Sequence, residues 1–209
     1  MKIFEFIASG LLIMSNLNAQ NDNDWILKYD SIDHCGYADI HGNMMIPFGK
    51  YRMCYTDTFK TYAIVLMDEQ GFIGIDKNEN RLFTVFPYDN GPDYISDGTF
   101  RIIDNSKMGF ADTTGEIIIQ PIYDFAFGFD KGLALVNIHG HGEKTDQEDP
   151  NCEYHTWSGG KWGVIDKSGK LILEIKYDYK RNPDTQKIEL TGNSEKYLIE
   201  NGEIKRINK

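Results

Sequence analysis

Positive charge is scarce in this chain. Twenty-two lysines and arginines face 32 aspartates and glutamates, a formal net charge of −10. A surface this acidic repels phosphate backbones and anionic lipid heads, which argues against nucleic acid and membrane-surface partners. Sugars, proteins, cations and basic peptides all remain open, and solubility alone would explain the charge. Proline is scarce too: six residues against 20 glycines, so tight turns are expected rather than stiff linkers. Only three cysteines occur, Cys35, Cys54 and Cys152. An odd count leaves at least one free or paired between chains. Enzyme signatures are also missing: there is no nucleophile-elbow Gly-x-Ser-x-Gly, no phosphate-binding glycine loop and no zinc-protease helix motif. A glycosidase needs only two carboxylates, and nothing singles out a pair among so many.

What is present describes a folded chain. Hydrophobic residues make up 41% and aromatics 13%, which is not a disordered composition. The aromatics are mostly Tyr and Phe, which favour half-buried pleated surfaces. The N-terminus reads as a signal peptide over residues 1–19. Lys2 gives a weakly positive end, Ile7 to Met14 is a short apolar stretch, and Ala19 can sit at a cleavage site. That stretch is too short to span a bilayer, so no integral membrane segment is expected in the mature chain. No cysteine lies near Ala19, so a lipid anchor is not indicated. Export would permit disulfides. Cys35 falls where other copies of a repeat carry an apolar residue, so a small buried hydrophobe is its default reading. A Cys35–Cys54 bridge is an alternative that spacing alone does not decide.

The repeat organises everything else. Cys35-Gly36-Tyr37-Ala38-Asp39 is followed by Ile40-His41-Gly42 and Met44-Met45-Ile46-Pro47. Met108-Gly109-Phe110-Ala111-Asp112 leads through Thr113-Thr114-Gly115 to Ile117 and on to Tyr123-Asp124. Trp162-Gly163-Val164-Ile165-Asp166 leads through Lys167-Ser168-Gly169 to Leu171 and on to Tyr177-Asp178. A ragged copy runs from Ile73-Gly74-Ile75-Asp76 through Lys77-Asn78-Glu79-Asn80 to Pro87-Tyr88-Asp89. Asp39 to Asp76 is 37 residues, Asp76 to Asp112 is 36, and Asp112 to Asp166 is 54. The last interval holds about half a period of insertion, between Val136 and Gly160, where the composition turns polar.

Each unit carries legible chemistry. An Asp three residues before a Gly marks a four-residue turn: the carboxylate accepts backbone N–H bonds and the Gly supplies positive φ. Ile117, Ile119, Pro121 and Tyr123 alternate along one strand face, and Leu171, Leu173, Ile175 and Tyr177 match them. A third strand follows in Ile95–Ile102 and Phe129–Val136, with a weaker echo in Phe59–Leu66. The tail reads as a capping hairpin over residues 196–207, turned at Asn201-Gly202.

Taken together, these units resemble the WG-repeat (KWG) family. The resemblance rests on Lys161-Trp162-Gly163-Val164-Ile165-Asp166-Lys167-Ser168-Gly169-Lys170, on Lys107 to Asp112, and on Gln120-Pro121-Ile122-Tyr123-Asp124. It covers roughly Gly36 to Asp178. Trp occurs in one unit only; Cys35, Ile73 and Met108 stand in for it elsewhere, so the position stays apolar. The resemblance implies a β-rich repeat with a binding role and carries no catalytic residues.

The expected fold is therefore all-β: four imperfect three-stranded β-meander repeats near residues 35–66, 71–103, 107–136 and 161–179, in a solenoid-like array or partial propeller. A single domain would cover residues 20–209, with a polar insertion at 137–160. That insertion holds His139, His141, Glu143, Asp146, Glu148, Asp149, Cys152, Glu153 and His155. Its spacings match no compact metal motif, and a solvated acidic loop is the expected reading, so no metal or cofactor is assigned. Asp39, Asp76, Asp112 and Asp166 are read as turn caps. Trp157, Trp162, Tyr123, Phe125 and Phe127 could build a sugar-stacking platform. Alternation sends Trp162 and Tyr123 to the core and leaves Trp157 as the exposed aromatic. The functional expectation is an exported, non-catalytic protein that binds a protein, peptide or glycan. Its rivals are an extracellular hydrolase with a site near the insertion and a structural envelope protein without a discrete ligand.

Overall fold

A computed structural model describes residues 21–144, 155–185, 187–192, 194–200 and 202–207. The proposed signal segment lies outside them. Among the described residues there is no helix; the chain folds into several antiparallel sheets, and none closes into a barrel.

Four times, three successive strands pair as an antiparallel ladder. The first set is Trp25–Tyr29, Cys35–Ala38 and Met44–Ile46. The second is Ala63–Met67, Gly71–Ile75 and Arg81–Val85. The third is Thr99–Asp104, Lys107–Asp112 and Ile117–Tyr123. The fourth is Leu133–Lys144, His155–Asp166 and Leu171–Arg181. The strands read as the ends of the first and third repeats thus pair with the hairpin that follows: Ala63–Met67 joins Gly71–Ile75, and Leu133–Lys144 joins His155–Asp166. Thr99–Asp104, read as the end of the second, pairs on both sides, with Arg81–Val85 before it and Lys107–Asp112 after it, so the second and third sets share one continuous sheet. Trp25–Tyr29 plays that opening part in the first set, a strand the periodicity did not reveal. The cause is the short link to the next strand, since two tightly turned neighbours pair more readily than distant ones.

The registers agree between sets. Met108 lies opposite Tyr123 and Trp162 opposite Tyr177; Ala111 lies opposite Ile117 and Ile165 opposite Leu171. Between those points the second strand of each hairpin carries extra residues, so the pairing shifts. The shifted strand folds tightly over the Gly of the Trp-Gly step. A Cβ on Gly109 would stand 2.4 Å from the Ile119 carbonyl oxygen, and one on Gly163 2.7 Å from that of Leu173. Only Gly fits there. The basic residue before the step then pairs with the Asp that closes the motif: Lys107 Nζ lies 2.6 Å from Asp124, and Lys161 Nζ 2.7 Å from Asp178.

The four turn aspartates form one structure. Each Oδ1 accepts the backbone N–H two and four residues on: His41 and Asn43 on Asp39, Asn78 and Asn80 on Asp76, Thr114 and Glu116 on Asp112, Ser168 and Lys170 on Asp166. The ragged second copy keeps this turn. Glu79 takes the glycine position with φ 63°, held by Lys50 at 2.6 Å and by the Tyr51 hydroxyl at 2.7 Å.

Packing joins each set to the next. One core cluster combines Cys35, Tyr37 and Ile46 with Ala63, Val65, Ile73 and Ile75. A second combines Phe83 and Val85 with Phe100, Ile102 and Ala111. A third joins Met108, Phe110 and Tyr123 to Ala134, Val136 and Ile165. The last joins Trp162, Val164 and Tyr177 to Leu190, with Tyr197, Ile199 and Ile204 packed against it. A three-stranded unit is apolar on faces it cannot cover itself, so a neighbour must. The Trp-type positions Cys35, Ile73, Met108 and Trp162 are all buried, as their apolar character requires.

Polar contacts repeat as well. Lys77 Nζ donates to the Asn23 carbonyl, Thr61 Oγ1 to the Thr114 carbonyl, and Lys167 pairs with Asp97. In each case a hairpin turn touches the residues just before the opening strand of the previous set. Gly202, in the tail hairpin, lies against Lys131 in the corresponding place. The tail is larger than a hairpin: Ile188–Gly192 pairs with Leu171–Arg181 and carries Glu195–Glu200 and Glu203–Arg206 after it, extending the last sheet. Cys35 and Cys54 form a disulfide, so Cys35 is buried as half of a bridge rather than as a lone thiol.

Candidate functional site

The polar stretch read as an insertion is largely strand. Its described residues lengthen Leu133–Lys144 and His155–Asp166 into a long ladder, in which Gly140 faces Gly159 and Gly142 faces Trp157. Polarity misleads here because a two-stranded ribbon beyond the sheet has little core to face. Asp146, Glu148, Asp149, Cys152 and Glu153 lie outside the described residues, and for His155 only the backbone is described. His141 pairs with Glu143 at 2.8 Å, and the His139 amide donates to Asp124 at 2.8 Å. Among the described residues no three metal-ligating side chains gather.

A buried asparagine ties the ribbon to the sheet. Asn137 has no exposed surface. Its Oδ1 accepts the Gly140 amide at 3.0 Å and the Trp157 indole N–H at 2.9 Å, while its Nδ2 donates to the Gly159 carbonyl at 3.2 Å. Trp157 is thereby pinned, half-buried, with its ring stacked on Phe125 at 5.0 Å. From the sequence Trp157 is the expected exposed aromatic; in the fold it is half-buried. That reading missed Asn137, whose bond to the indole fixes the ring.

The aromatic platform exists in altered form. Phe125 and Phe127 meet edge to face at 5.1 Å; Phe127 stacks on Trp162 at 5.7 Å, and Trp162 stacks on Tyr179 at 4.6 Å. Tyr123 is not part of it and stays in the core. Burial raises the Tyr179 phenol above its ordinary pKa. Trp162 is buried beneath, and Phe125, Phe127, Trp157 and Tyr179 are half-buried around it. Together with Phe86, which directly follows the last strand of the second set, and Met108 from the third, they line a cleft of about 610 Å³, a size suited to a small organic ligand. Thr156 and Gly142 border it on the ribbon side, and Arg181 stands at its charged end.

Phe86 is held by Arg101. The guanidinium lies over the Phe86 ring at 4.3 Å. It is buried in a two-pronged pair with Asp93, at 2.9 Å and 2.5 Å, and reaches the Ala126 carbonyl at 3.2 Å. A fork held on both prongs cannot swing, so this wall is preorganised. Sequence reasoning passed over Phe86, Met108, Tyr179 and Arg181 as cleft residues. A smaller cavity of about 360 Å³ adjoins, sharing Phe127 and Arg181 and crossed at its rim by the Lys187–Glu200 pair, 3.1 Å apart. No helix among the described residues is long and apolar enough to cross a membrane.

Residues 108–140 and 162–181 match the family described as WG containing repeat. Each stretch begins just after the Lys of a Lys-x-Gly step and contains the step's Gly, the capped turn and the closing Tyr-Asp in the same register. No curated protein and no solved structure matches the chain.

Proposed function

We propose that this WG-repeat-bearing chain is an exported, non-catalytic binding protein, an open array of four three-stranded units whose ligand sits in the aromatic cleft between the third and fourth. The observation that carries the reading is the cleft itself: about 610 Å³, walled by Phe86, Phe125, Trp157 and Tyr179 on fixed supports. Preorganised aromatic walls suit binding, because little side-chain freedom is lost when a ligand arrives. Among the described residues, the lining offers no Asp, Glu or His to act as acid, base or nucleophile. This favours a binder over a hydrolase at the ribbon. Export is supported by the signal-like residues 1–19 and by the Cys35–Cys54 disulfide, a bond that persists in oxidising compartments.

The test is a two-dimensional NMR spectrum of the indole N–H groups during a screen of aromatic fragments. Binding in the cleft should shift Trp157 and Trp162 and leave Trp25, which packs in the first core cluster, in place. Fragments that shift all three alike, or none, would remove the reading.

A further inference from the structure

The charge around the cleft narrows what can occupy it. In a chain of net charge −10, the described residues that line the cleft include no carboxylate, and Arg181 is their one charged group. Arg181 is exposed. Several nearby cations are occupied: Lys107 by Asp124, Lys161 by Asp178, Lys167 by Asp97, Lys187 by Glu200. Arg181 has no carboxylate within ion-pair distance among the described residues. Strand alternation sets it on the same face as Tyr179, whose ring stacks on Trp162 at 4.6 Å. A guanidinium with no ion-pair partner among the described residues therefore stands beside the aromatic stack, as the one charged group of the described lining.

Resting on the reading of the cleft as the binding site, we propose that its ligand is a small aromatic anion, with the flat ring against Trp157 and Tyr179 and a carboxylate on Arg181. A guanidinium offers two parallel N–H donors that match the two oxygens of a carboxylate, and charge-assisted bonds of this kind are about twice as strong as neutral ones. A neutral amide of the same shape offers that fork one uncharged acceptor in place of two charge-assisted ones. A cationic one would be repelled by it, although the protein as a whole attracts cations.

The probes are 2-naphthylacetate and 2-naphthylacetamide, which share a ring and differ in charge, titrated into the purified protein by calorimetry. The acid should bind about tenfold more tightly than the amide. Raising the salt should weaken the acid alone. Arg181→Gln, an exposed substitution, should bring the two affinities together by weakening the acid far more than the amide, and Trp157→Ala should weaken both. Equal binding of acid and amide to the unaltered protein, or an acid preference that survives Arg181→Gln, overturns the ligand class and leaves the cleft reading standing. No binding by either probe, or binding indifferent to Trp157→Ala, overturns both.

Discussion

Three of the four hairpin turns close on a glycine, and replacing each with alanine should give unequal losses. Gly42, Gly115 and Gly169 have φ of 87°, 86° and 80°. An L-residue held there costs about 1–2 kcal/mol. Alanine also narrows the unfolded ensemble, which returns about 0.4–1 kcal/mol. At Gly42 nothing lies within 4 Å of the added Cβ, and at Gly169 the nearest atom is an Ile119 side-chain carbon at 3.7 Å. Both substitutions should therefore cost about 1 kcal/mol net. At Gly115 the Cβ would stand 2.5 Å from Tyr62 Cδ1 and 2.7 Å from its Cγ. Tyr62 cannot easily retreat, because its ring packs on Phe83 at 5.9 Å and on Phe100 at 6.1 Å. Forcing a methyl group into such a site adds about 1–3 kcal/mol, for a total near 3 kcal/mol. Urea titrations should show midpoints falling with unchanged slope, much further for Gly115→Ala than for the other two. In thermal melts the gap should be several degrees, at about 2–4 °C per kcal/mol for a chain of this size. Equal losses at all three positions would refute the seating of the third turn on Tyr62. No loss at Gly42 or Gly169 would refute the positive-φ turn itself.

Other outcomes follow from the same geometry. Replacing Cys35 and Cys54 by Ser opens a 19-residue separation and should cost about 3 kcal/mol; a reductant should lower the melting temperature of the unaltered protein and not of the double variant. The turn carboxyls of Asp39, Asp76, Asp112 and Asp166 are held below their ordinary 3.8, chiefly by the side chains of Asn43, Asn80, Thr114 and Ser168. Since the folded values are the lower ones, their contribution is complete above about pH 4 and is lost as pH falls through the folded values. Melts from pH 6 down to about pH 2.5 should show this acid limb, and Asp112→Asn should flatten it. Asn137→Leu strands the Gly140 amide and the Trp157 indole N–H, which should cost about 1–3 kcal/mol for each group left unsatisfied and shift tryptophan emission to the red.

The turns were legible because their causes lie within five residues. Asp112 captures the amides of Thr114 and Glu116, and Gly115 takes the one backbone angle that closes the loop, so the local sequence is enough. Burial of Cys35, Ile73, Met108 and Trp162 was legible for a related reason: the repeat fixes their place in the pleat, and every occupant is apolar. Glu79 shows where local reasoning fails. It fills a glycine position because Lys50 and Tyr51, nearly thirty residues earlier, hold its carboxylate. Strand pairing lay further out of reach. Ala63–Met67 could in principle have joined the hairpin before it or the one after, and only the folded ladder, with the shorter connection, chose Gly71–Ile75. Ile188–Gly192 found its place only once Leu171–Arg181 offered an unpaired edge. The cleft depended most on tertiary structure. Phe86, Met108, Trp157 and Arg181 share no sequence pattern. They meet because each unit must cover its neighbour, and the gap left between the third and fourth belongs to neither unit alone.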